Sequence, residues 1–168
     1  MRHWIIGTML GLAALPALAG GTLEGRQVSL GVLTYDDPAA PMLDANGRTV
    51  TVGAGIEFGM GSEINQNGFY VVPVEVEILP DRIELGYGAE TGNFWPSAFN
   101  GYVLRFAAPG DCVLFTGARI DRAASTMPLQ DSDITVTKDA VFINVAGRDY
   151  GPGVHLAVDL DVAECTMS

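Results

Sequence analysis

Glu75 and Glu77 stand one residue apart in the segment Pro73-Val74-Glu75-Val76-Glu77-Ile78. On an extended strand, alternate residues point the same way about 6.7 Å apart. Glycoside hydrolysis uses two carboxyls about 5–9 Å apart, so this pair has the spacing of an acid and its partner. An exposed strand face carries the same pattern, and only one tryptophan is left to stack a sugar once the leader described below is removed. A hydrolase using Glu75 and Glu77 is therefore the third of three readings. His155 is the one imidazole outside that leader, and any Ser/His/Asp or Cys/His nucleophile arrangement would have to use it. It shares a strand face with Asp159 and Asp161, the pattern of polar side chains facing water. A metal site from His155, Asp159 and a third ligand is the less favoured alternative.

Calcium takes oxygen ligands from carboxylates and carbonyls on loops. Asp131-Ser132-Asp133 is the strongest candidate segment, with Asp131 and Asp133 as ligands; Asp36-Asp37 and Asp44-Ala45-Asn46-Gly47 are others. None completes an EF-hand loop, and turn-forming Asp and Asn explain all three. Aromatic residues gather in Asn93-Phe94-Trp95-Pro96-Ser97-Ala98-Phe99 and again at Tyr102. Exposed, Trp95, Phe94 and Tyr102 would stack a sugar. The favoured expectation is that Trp95 and Phe99 plug one end of the fold. Gly53-Ala54-Gly55 and Gly86-Tyr87-Gly88 look like phosphate loops, but neither precedes a helical pattern, and a phosphate loop needs the helix N-terminus.

The elements that must position these residues are strands. Val28, Leu30 and Val32 share one face, as do Val50 and Val52. Over 69–79, Tyr70, Val72, Val74, Val76 and Ile78 line one face and the two glutamates the other. Pro73 cannot donate to a ladder, which predicts an edge strand or a bulge there. Further strands are predicted at 82–87, 101–107, 112–120, 133–137, 140–146 and 153–163. Turn signals separate them, Asn46-Gly47 and Gly151-Pro152-Gly153 among these. Eight or nine short strands with glycine-rich turns predict an all-β fold, an antiparallel β-sandwich with jelly-roll-like connections, as one domain over 22–165.

Residues 1–19 read as a secretory leader: Arg2, an apolar run from Trp4 to Leu15, and Ala17 and Ala19 before the cleavage point. The run is shorter than the roughly 20 residues of a membrane span, so no membrane association is expected after cleavage. The whole chain has 168 residues, nine Lys plus Arg, twenty Asp plus Glu and a charge of −11. Loss of Arg2 leaves eight cations against twenty carboxylates, a charge of −12. Such acidity excludes nucleic-acid binding, which needs clustered cations. Both cysteines lie beyond the leader, and an even count in an exported chain predicts a Cys112–Cys165 disulfide. Cysteine chemistry and leader together predict a periplasmic or secreted protein.

Phe99-Asn100-Gly101-Tyr102, Ile120-Asp121, Asp131-Ser132-Asp133-Ile134, Ile143-Asn144-Val145-Ala146-Gly147 and Tyr150-Gly151-Pro152-Gly153 form a series of short words ending in Leu160-Asp161-Val162. Over about residues 99–162 the chain resembles a β-sandwich domain of bacterial exported proteins, including those with a PEP-CTERM sorting tail. Residues 163–168 carry no Pro-Glu-Pro motif and no apolar, basic-ended tail. The resemblance implies an exported, non-enzymatic sandwich and contributes no catalytic residues. The first functional expectation is thus a non-catalytic module with a structural or interaction role and an unidentified protein partner. The second is a carbohydrate-binding module for polysaccharide, calcium-assisted or not. No other cofactor is expected.

Overall fold

The computed structural model describes residues 21–60 and 72–165. The leader with Ala19, and Tyr70 of the predicted 69–79 strand, lie outside the described residues. In chain order the strands are β1 (Gln27–Tyr35), β2 (Leu43–Thr51), β3 (Ile56–Phe58), β4 (Val74–Leu79), β5 (Arg82–Tyr87) and β6 (Gly92–Asn93). They continue with β7 (Phe99–Phe106), β8 (Phe115–Ile120), β9 (Ile134–Val136), β10 (Ala140–Asn144), β11 (Asp149–Tyr150) and β12 (His155–Val162).

Period-two alternation explains the best-formed of these. β4 and β5 each bury every second residue, and they join through Pro80 and Asp81 as an antiparallel pair. The ladders build two five-stranded antiparallel sheets, ordered β2-β1-β7-β10-β9 and β3-β4-β5-β12-β8, with a separate β6–β11 ribbon. The protein is an antiparallel β-sandwich. Val28, Leu30, Leu104, Val141 and Ile143 from the first sheet meet Val76, Ile78, Ile83, Leu156 and Val158 from the second, all essentially without exposure. Fully burying such side chains contributes about 1.5–3 kcal/mol each.

Three sequence expectations need correction. The strand count exceeds eight or nine because β3, β6 and β11 have two or three residues, too few for periodicity to register. Asn46-Gly47 lies inside β2 and makes no turn. There β2 carries one extra residue against β1, with Ser29 opposite Thr49 and Gly31 opposite Asn46, and a bulge suits the glycine. Pro73 sits immediately before β4, an inner strand, so its missing N–H falls outside the ladder.

Carboxylates close strand ends that the ladders leave open. Buried Glu57 accepts from the Gly53 N–H at 2.9 Å and from the Ile78 N–H at 2.8 Å. Asp131 accepts from the Ile120 N–H at the end of β8, at 3.0 Å. Cys112 and Cys165 form a disulfide, with Cα atoms 6.0 Å apart, joining the β7–β8 connection to the segment after β12. Among the described residues no helix is long and apolar enough to cross a membrane.

Candidate functional site

The strongest candidate is a cleft at the segment between β6 and β7. The β6–β11 ribbon pairs Asn93 with Asp149 and Gly92 with Tyr150. Phe94 extends this ribbon, its N–H donating to Arg148 O and its carbonyl accepting from the Gly147 N–H. An extended backbone turns consecutive side chains opposite ways. Phe94 accordingly goes inward, packing against Tyr150 at 5.0 Å, Tyr87 at 5.9 Å and Tyr102 at 6.2 Å between ring centroids. Trp95 goes outward and is 69% exposed. Pro96 restricts the Trp95 backbone to extended conformations. The Asn100 side-chain amide donates to Trp95 O at 2.9 Å, and Asp36 accepts from the Ala98 N–H at 3.0 Å. The indole therefore stands on a tethered segment.

Beside it lies a cleft of about 220 Å³ lined by Val32, Thr34, Leu43, Asn93, Phe94, Trp95, Asn100 and Tyr102, with Val72 and Gly101 completing the wall. The Thr34 hydroxyl donates to Asn100 Oδ1 at 3.0 Å, and the Asn93 amide donates to Gly147 O and Asp149 Oδ1. Those bonds leave Asn93 Oδ1 as an acceptor. Apolar and aromatic walls with a few fixed amides suit a sugar, whose ring carries both C–H faces and hydroxyls.

The sequence expectations fare unequally here. Trp95 does not plug the sandwich. Phe99 is buried outside the central core, stacked on Tyr35 at 5.5 Å and edge-on to Phe142. Of the three stacking candidates, only Trp95 presents a face to solvent, because Phe94 and Tyr102 form the buried floor. The buried Tyr87 and Tyr102 hydroxyls are polar neighbours of each other, but neither makes a well-formed hydrogen bond among the described residues. Desolvation pushes both well above the usual tyrosine value, and the neighbouring Tyr87 and Tyr150 raise Tyr102 further.

A second concave region lies on the outer face of the β4–β5–β12 sheet. Register places Glu75 beside Gly86 and Gly86 beside His155, then Glu77 beside Glu84 and Glu84 beside Ala157. Gly86 has no side chain, and Ala124 and Ala157 have short ones. The result is a hollow of about 230 Å³ rimmed by Glu75, Glu77, Glu84 and His155. Sequence reasoning named the first two and His155 separately. It missed Glu84 and read Gly86 only within a phosphate-loop look-alike, because only pairing register unites three strands. In the next row, Arg82 donates to Asp159 at 2.8 Å and to Glu84 at 3.3 Å, and it also bonds Asp121. Arg119 pairs with Asp159 and Asp161.

Asp131 and Asp133 occupy a single 3-10 turn before β9. Asp131 also meets Arg122 at 3.3 Å, while Asp133 accepts from the Gln130 N–H at 2.8 Å and pairs with Arg148 at 3.6 Å. Their oxygens serve the turn. Among the described residues no group of three or more His, Cys, Asp or Glu is arranged to hold a metal ion. Compared with known proteins, the chain matches no family model, no curated protein and no solved structure.

Proposed function

We propose that this chain is an exported, non-catalytic β-sandwich module that recognises an uncharged polysaccharide at the Trp95 cleft. The observation that carries the reading is the exposed indole, 69% accessible and set on a tethered segment beside fixed amides. A large aromatic face left in water has an energetic cost that a stacked ligand would remove. Tethering means little conformational entropy is lost on binding. The charge of −11 disfavours anionic polymers. Export rests on the leader and the disulfide.

Electrophoresis through native gels containing neutral β-glucan tests this. The chain should be retarded, and Trp95→Ala should migrate as it does without polymer. Equal mobility with and without polymer, across neutral glucans, mannans and chitin derivatives, would leave a protein partner as the occupant of the exposed surface.

A second reading has its own observation, the hollow that gathers Glu75, Glu77, Glu84 and His155. It is hydrolysis of a glycosidic bond by Glu75 and Glu77. Release of reducing sugar from β-glucan, abolished by Glu75→Gln, would establish it; no release over a panel of glucans would remove it.

A further inference from the structure

Val72 lines two cavities. One is the Trp95 cleft; the other, of about 240 Å³, is bounded by Met60, Pro73, Gly88, Ala89, Glu90 and Tyr150. Phe94 lines the first and Tyr150 the second, and their rings lie 5.0 Å apart. Each cavity alone is below the roughly 300–1,000 Å³ typical of sites for drug-sized ligands, and together they enter that range. Each matches a single sugar ring better than a chain segment.

Resting on the reading of the Trp95 cleft as a sugar site, we infer that the two cavities form one groove with two subsites. It takes two consecutive units of a neutral oligosaccharide. The first ring stacks on Trp95 near Asn93 and Asn100. The second lies against Tyr150 and Pro73, with the exposed Glu90 carboxylate accepting from its hydroxyls. Glu90 also sets a charge preference: a uronate in the second subsite meets like charge, whereas hydroxyls meet an acceptor. Gly88 keeps the second subsite open. A Cβ there would stand 3.1 Å from Met60 Sδ, so a larger side chain projects into the space while the flexible thioether yields.

Isothermal titration of the full chain with glucose, cellobiose, cellotriose and digalacturonate tests the groove. Cellobiose should bind about tenfold more tightly than glucose, the step expected of one added subsite worth about 1.4 kcal/mol. Cellotriose should bind within about twofold of cellobiose, and digalacturonate more weakly than cellobiose. Gly88→Leu should erase the glucose-to-cellobiose step while leaving glucose binding and the thermal midpoint in place. Trp95→Ala should weaken all of the neutral sugars. Equal affinity for glucose and cellobiose in the unsubstituted chain would overturn the second subsite and leave the Trp95 cleft standing, as would a step that survives Gly88→Leu. Absence of binding by all three neutral sugars would overturn the cleft reading and the groove together.

Discussion

Individual carboxylates divide between two duties. Glu57, Asp131, Asp133, Asp36 and Asp121 accept backbone N–H groups, whereas Glu75 and Glu77 stand on an outer face. Removing a buried acceptor strands its donors, at a cost of about 1–3 kcal/mol. Glu57→Ala should therefore lower stability by about 2 kcal/mol in urea unfolding, well beyond the effect of Glu75→Ala. The converse holds for Tyr102, whose buried hydroxyl has the Tyr87 hydroxyl as a polar neighbour but no well-formed hydrogen bond among the described residues. Tyr102→Phe should be neutral or stabilising by up to about 1 kcal/mol, and a clear loss would mean that the hydroxyl is bonded after all. Asp121 carries a pH signature. Its carboxyl is held below the ordinary 3.8 by the Ala123 N–H and then by Arg82. A depressed value in the folded state means stability that is present above that ordinary value and lost as pH falls through the depressed one. Asp121→Asn should flatten the acid limb of the stability curve below about pH 4, measured by circular dichroism.

Strand pairing explains what was legible and what was not. Alternation in Val74–Leu79, Arg82–Tyr87 and His155–Val162 marked β4, β5 and β12 directly, because one face of each meets the core and the other meets water. The two-residue β6 and β11 leave no period to read, yet that ribbon decides that Phe94 goes in and Trp95 goes out. The aromatic segment was recognisable from composition, but the exposure of its indole depends on this pairing. Register likewise sets Glu77 opposite Glu84, and like charges directly opposite each other destabilise a sheet. Glu77→Gln should raise stability by about 0.5 kcal/mol, read as an increased urea midpoint, whereas Arg82→Ala should lower it by about 1 kcal/mol through loss of screened ion pairs.

At the scale of the whole molecule, a sandwich of two five-stranded sheets is tied at its C-terminal end by a disulfide spanning 53 positions. Closing a loop of that length restricts the unfolded chain by about 4 kcal/mol. Thermal unfolding in reducing buffer should show a correspondingly lower midpoint, as should Cys112→Ser; coincident transitions would mean that the bond contributes nothing. On the proposed reading, recognition is the task of the exposed Trp95. Tryptophan emission reports on this most directly, in the Trp4→Phe chain where Trp95 is the single indole. The account predicts emission characteristic of a water-exposed indole, shifting to the blue and saturating as neutral β-glucan is added. Emission of a buried indole, or an exposed one indifferent to neutral polysaccharides, would contradict it.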